Sequence, residues 1–162
     1  MNIFILDKNP KIAAQLHCDK HVVKMILETA QILSTTILHY RPECEGLYKS
    51  THLNHPCSIW ARECFSNFEW LTTLGKSLVK EHLIRYSPKK IHASFSIIRR
   101  AESLGSSLDE LSLDPQTPFV QAMPDKYRST DAVKAYRSYY RGEKSHFATW
   151  RTPRTKPTWM EF

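Results

Sequence analysis

Between His17 and Leu33 the chain alternates two kinds of residue with the period of a helix. At roughly 100° per residue, His17, His21, Lys24, Glu28 and Gln31 fall on one stripe, and Val22, Val23, Ile26, Ala30 and Leu33 fall on the opposite side. Such a helix offers a solid apolar face to a core. Its other face gathers two imidazoles, an amine and a carboxylate in one line, where a solvated stripe is ordinarily Glu, Lys, Gln and Ala. Titratable groups collected in one place mark a candidate site. Asn9 as cap and Pro10 at the first helical position place the start of this helix, which is expected to run to about His39.

The remaining pattern predicts a helical protein. Residues 2–6 (Asn-Ile-Phe-Ile-Leu) are apolar and β-prone, which suits a short strand or a buried extended arm. Pro42 to His52 reads as a loop. Asn54 or His55 can cap a second helix with Pro56 in its first turn, and Ile59, Cys64 or Phe65, Phe68, Leu71 and Leu74–Leu78 carry its period to Tyr86, with Gly75 a weak point. Ser87-Pro88 repeats the cap-plus-proline start, and a third helix runs to about Leu104 and stops at Gly105. Residues 105–124 form a long polar loop with a short helix at 108–112. Within it, Thr117 to Asp125 is an apolar stretch pinned by prolines, expected to lie across the helices. Ser129-Thr130-Asp131 caps a fourth helix ending near Arg141 or Lys144. From His146 the chain is a tail that packs back through Trp150 and Trp159. The expectation is an all-α protein: a single domain over residues 1–162, a bundle of about four helices with a short extended N-terminal segment and an aromatic, basic tail.

Composition sharpens this. A length of 162 residues suits one domain with a real core. A net charge of +7 points to a polyanionic partner, nucleic acid or a nucleotide, or an anionic membrane surface. No apolar run approaches the ~18 residues that span a bilayer, so no membrane role is expected. Met1 to Leu6 is too short for a signal sequence and lacks a basic leader and a cleavage site. A cytoplasmic protein is expected, with its four cysteines as free thiols. A serine-hydrolase elbow, a P-loop and a dinucleotide fingerprint are absent from the sequence.

Three clusters carry candidate chemistry. On the first helix, Glu28 and His21 suit general acid–base work and Lys24 an amine or phosphate contact, with His17 and Lys20 beside them. Around the start of the second helix stand His52, Asn54, His55 and Arg62, where unpaired backbone N–H groups favour an anion. In the C-terminal quarter, basic groups including Arg137 and Lys144 are interleaved with Tyr127, Tyr140 and other aromatics; cations neutralise phosphates and aromatic faces stack on bases. Gln121 lies just upstream. The expected catalytic set is His21, Lys24, Glu28 and His55. The expected substrate- or phosphate-binding set is His17, Lys20, Asn54, Arg62, Gln121, Tyr127, Arg137, Tyr140 and Lys144. Cys18-x2-His21 and His52-x2-His55-x-Cys57 match no standard zinc spacing, and neither a metal nor another cofactor is expected.

Three blocks, Cys18-Asp-Lys-His-Val-Val-Lys24, His55-Pro56 followed by Ile59-Trp60-Ala61-Arg62, and Gln121-Ala-Met-Pro-Asp-Lys-Tyr127, resemble those of a family of small phage-encoded proteins. More distantly, the plan is similar to the pyrimidine-dimer DNA glycosylases of the phage endonuclease V type. Those are small, basic and helical, with a His- and Glu-bearing first long helix and a Pro-Thr-Trp tail; Glu28 and Pro157-Thr158-Trp159 are the counterparts. The resemblance implies DNA as the favoured partner, the host cytoplasm as the setting, and attack on C1′ by a terminal α-amine. In that family the amine belongs to a Thr exposed by removal of Met. Here Met1 precedes Asn2, a side chain large enough to leave Met in place, so the amine is that of Met1 or of a lysine such as Lys24. The Arg-Glu-Leu-Pro-Arg-like segment around the family's carboxylate is absent here.

The leading expectation is an enzyme on nucleic acid or a nucleotide, working without a metal. It is either a DNA glycosylase/lyase or a phosphodiesterase with His21 and His55 as base and acid. The alternative is a non-catalytic binding protein of phage type that modulates a host process. The enzyme readings place the polar edge of the first helix in a cleft shared with the start of the second, near Arg62, with an anion between them, whereas scattered positions of His21, Lys24, Glu28, His55 and Arg62 would favour the binding protein.

Overall fold

The computed structural model describes residues 1–161. Six α-helices form: α1 (Pro10–Leu16), α2 (Asp19–Tyr40), α3 (Pro56–Ala61), α4 (Phe65–Tyr86), α5 (Ser94–Gly105) and α6 (Ala132–Lys144). Short 3₁₀ turns stand at Asp125–Tyr127 and Thr158–Met160, and no strand is present among the described residues. The chain is all-α, as its pattern predicts.

Two of the four expected helices are broken. The first splits at His17 and Cys18, both of which take extended backbone (ψ 136° and 162°). The break frees the carbonyls of the last turn of α1, and distant donors take them up. Arg85 donates to the carbonyls of Gln15 and His17 at 2.8 Å each, and the indole N–H of Trp150 donates to that of Leu16 at 3.1 Å. Unsatisfied helix-end carbonyls need such partners when buried. The second expected helix breaks after Ala61: Arg62 caps α3, and α4 restarts at Phe65, whose N–H donates to the Ser112 carbonyl.

α2 and α4 run antiparallel through the centre, each 22 residues or about 33 Å long. Arg85 meets Asp19 at one end, and Gly75 faces Thr29 near the middle. α5 packs antiparallel on α4, with Ile98 over Gly75 and Gly105 against Phe68. A Cβ on Gly105 would stand 2.2 Å from the Phe68 ring, so only glycine lets these helices meet. α5 begins later than expected, because Ser87 turns left-handed (φ 41°) and residues 88–93 stay outside the helix. The expected helix at 108–112 does not form; Leu108 and Leu111 are buried from turns.

Residues 3–6 are a buried arm, not a strand. Arg137 on α6 donates to the Leu6 carbonyl at 3.0 Å, and Trp70 on α4 to that of Lys8 at 2.7 Å. The proline-pinned stretch lies across α3 and α4, with Phe119 against Trp60 and Trp70. The tail returns over the start of α2. Thr149 accepts from the N–H of Asp19 and donates from its hydroxyl to the Asp19 carboxylate, and Arg154 pairs with buried Glu81.

Candidate active site

The apolar arm decides where the start of the chain goes. Burying Ile3 to Leu6 draws Met1 and Asn2 across the middle of α2. The Asn2 side chain is held on both ends: Nδ2 donates to the Ala122 carbonyl at 2.9 Å, and Oδ1 accepts from the Tyr136 hydroxyl at 3.1 Å. That clamp turns the backbone toward Glu28. The Asn2 N–H donates to Glu28 Oε2 at 2.9 Å, and the Met1 α-amine stands 3.8 Å from the same oxygen. Lys24, one turn before Glu28 and 67% exposed, places its ammonium 3.4 Å from Oε1. Glu28 itself is buried.

These groups line a cleft of about 190 Å³. His21, Phe4, Tyr139 and Lys144 also line it, so its far wall is α6 rather than the start of α3, where the second expected helix begins. Lys144 sits over the Tyr139 ring at 4.8 Å, Lys20 over Phe147 at 5.2 Å and Lys126 over Tyr127 at 4.8 Å. Aromatic faces thus carry three ammonium groups.

His21 stacks on Phe4 (centroids 4.5 Å apart, planes at 17°), and its Nδ1 is 2.6 Å from the Tyr140 hydroxyl. Burial, then the charges of His17, Lys144 and Lys24, lower its pKa to about 3. The ring is therefore neutral at physiological pH. His55 caps α3, with Nδ1 accepting from the Cys57 N–H at 3.2 Å. Burial and then the nearby α-amine push its pKa down, while Glu28 pulls the other way. With His21 tied to Tyr140 and His55 serving as a cap, the base-and-acid pair expected across a phosphate has no support in this geometry. Burial raises the Cys57 thiol to about 12, which leaves it inert.

Several expected contacts lie elsewhere. His17 is fully buried at the α1–α2 break, its Nδ1 2.7 Å from the Ala13 carbonyl, with burial lowering its pKa to about 4; it cannot reach a phosphate. Tyr140 is fully buried too, with its hydroxyl enclosed by His21 and the Cys18 N–H. Arg62 is not in the cleft: it donates to the Leu53 carbonyl at 2.6 Å and ends α3. Gln121 pins Ser129 through both ends of its amide, and Arg137 ties the arm to the tail by way of Leu6, Asp7 and Trp159. Asn54 is exposed on the loop before α3, and Tyr127 donates to Glu143 at 2.8 Å. Among the described residues no three His, Cys, Asp or Glu side chains gather as a metal site would require. All four cysteines are free thiols, and no described helix is long and apolar enough to cross a membrane.

Sequence reasoning missed Asn2, Phe4 and Tyr139. The alternation-free apolar run at the start was the one available signal, since a buried arm must carry the first residues somewhere specific.

Fold and cleft define a class: a small, basic, helical protein whose chain start is held beside a buried carboxylate. The chain belongs to the pyrimidine dimer DNA glycosylase family, whose model matches residues 1–94, more than half of its length. The match contains Met1, His21, Lys24, Glu28 and His55 and omits the α6 wall. A DNA glycosylase-type activity, and hence DNA binding, follow at the level of that family. No curated protein and no solved structure matches the chain.

Proposed function

We propose that this protein is a metal-independent DNA glycosylase/lyase acting at pyrimidine dimers, with the α-amine of Met1 as nucleophile and Glu28 as the proton carrier. The observation that carries the reading is the placement of both chain-start nitrogens against one carboxylate oxygen, at 3.8 and 2.9 Å. The free amine would attack C1′ of the damaged nucleotide. The N-glycosidic bond breaks as the new C–N bond forms, and the base leaves with the bonding electrons and takes up a proton. Loss of the amine proton to Glu28 and opening of the C1′–O4′ bond, with a proton passing to O4′, give an imine. Removal of a C2′ proton then expels the 3′ phosphate and cuts the strand.

Lys24 is the rival amine. It is the more exposed of the two. α-Amines are ordinarily weaker bases than lysines, so a larger share is unprotonated and nucleophilic at neutral pH. Lys24, Lys20 and Lys144 are better suited to hold phosphates around the sugar. The test is strand cleavage of ultraviolet-irradiated plasmid in chelator. Nicking of irradiated plasmid only is expected. Equal treatment of irradiated and untreated plasmid would overturn the reading.

A further inference from the structure

Tyr140 has one proton to give and two neighbours that could receive it. Its oxygen accepts from the Cys18 N–H at 3.2 Å. Its hydroxyl can donate to His21 Nδ1 at 2.6 Å or to the Cys18 sulfur at 3.5 Å. Sulfur is a weak acceptor and an imidazole nitrogen a strong one, so the proton points to Nδ1. Burial holds the phenol far above its ordinary pKa, so it stays a donor. A neutral imidazole that accepts at Nδ1 must carry its own proton on Nε2. Nε2 has no protein partner among the described residues. The unpartnered buried atoms include His17 Nε2 but not His21 Nε2, so the latter keeps its opening to the cleft that His21 lines.

We infer that Tyr140 fixes His21 as an uncharged Nε2–H donor, and that this N–H binds a phosphate oxygen of the DNA beside the ammonium groups of Lys24 and Lys144. The inference rests on the glycosylase reading for its ligand and adds a positioning pair to it, Tyr140 behind and His21 in front. The groups facing the ring are Lys24, Glu28 and Cys18 from its own helix and its start, and His17 from the α1–α2 break. The arm adds Phe4 and the Met1 amine, α6 adds Tyr139, Tyr140 and Lys144, and Phe147 follows α6. Three cations among these oppose a fourth. A neutral donor therefore adds a directed bond to phosphate without adding charge to the cleft, where an imidazolium would compete with the attacking amine for Glu28.

Nitrogen-15 NMR of the intact protein and affinity for a duplex carrying a tetrahydrofuran abasic analogue test this together. The analogue cannot form an imine, so the outcome is separate from the amine chemistry. In the wild type the His21 ring should hold its proton on Nε2 and show no titration between pH 5 and pH 8. In Tyr140→Phe the ring should lose that single tautomer and its titration should move upward. His21→Gln, which can present an N–H at the same reach, should bind within about threefold of wild type. His21→Phe, which keeps the stack on Phe4 and loses the donor, should bind about tenfold more weakly. A proton on Nδ1 in the wild type, or equal affinities for the Gln and Phe variants, would overturn the inference. Failure of irradiated DNA to be cut, with these results intact, would overturn only the glycosylase reading.

Discussion

The N–H of Asn2 donates to Glu28 Oε2 at 2.9 Å across 26 residues of chain, and this bond fixes what the cleft can do. It holds the carboxylate at the very start of the polypeptide, in a buried setting where water does not dilute its effect. Glu28→Gln keeps the shape and the acceptor oxygen but removes the base. Nicking of irradiated DNA should fall by roughly 10²–10⁴-fold, while affinity for the abasic-analogue duplex stays unchanged or rises. Parallel loss of binding and nicking would show that Glu28 shapes the cleft instead of carrying protons.

The ammonium groups mounted on aromatic rings predict a salt signature. Each phosphate neutralised releases counterions, so Lys20→Ala and Lys144→Ala should each flatten the plot of log affinity against log salt by about one unit. Arg41→Ala, about 20 Å along α2 from Glu28 and engaged by Ser107 and Glu110, should leave the slope alone. The same slope in all three variants would move the DNA to another face.

Two buried histidines predict acid sensitivity. Folding lowers the pKa of His17 to about 4 and of His21 to about 3, both chiefly by burial, from an ordinary 6.5. Below pH 6.5 the unfolded chain therefore takes up protons that the folded chain refuses. Stability is full above pH 6.5 and falls as pH drops toward 4 and then 3, by about 3 kcal/mol for His17 alone. His17→Gln should start from a lower melting temperature and show a shallower decline between pH 7 and pH 4.5. An unchanged slope would remove His17 from the cause.

The tail is held by charge. Glu81, buried on α4, receives Arg154 at 2.6 Å and Arg85 at 3.1 Å, and Arg85 also reaches Asp19 at 3.2 Å. Arg85 is fully buried, so Arg85→Met leaves two carboxylates short of a partner and should cost about 3–5 kcal/mol. Arg154 is partly exposed; Arg154→Ala should cost less, about 1–2 kcal/mol, and should loosen residues 149–159, read as a red shift of tryptophan emission and faster proteolysis there. Equal losses from both variants would contradict this division.

The helices were legible because their apolar periods are local. Asn9 with Pro10, His55 with Pro56, and Asp131 announced three starts correctly. The break at His17 was not legible, since the groups that satisfy its carbonyls, Arg85 and Trp150, lie 68 to 134 residues away. That one break moved His17 from the stripe into the core and left His21, Lys24 and Glu28 to line the cleft. Arg62 was misplaced for a similar reason, because a helix that pauses at residues 62–64 ends α3 where its continuation was expected. The C-terminal pattern predicts a basic, aromatic surface for α6. Which of its tyrosines faces the cleft and which supports His21, Tyr139 or Tyr140, depends on a rotation of about 100° that periodicity alone does not set.

The most direct measurement is borohydride trapping on abasic-site DNA followed by peptide mapping of the adduct. The account predicts one covalent adduct per chain, on the α-amine of Met1, still formed by Lys24→Ala and abolished by acetylation of the chain start. An adduct mapped to the Lys24 side chain, or none under conditions where irradiated DNA is cut, would contradict it.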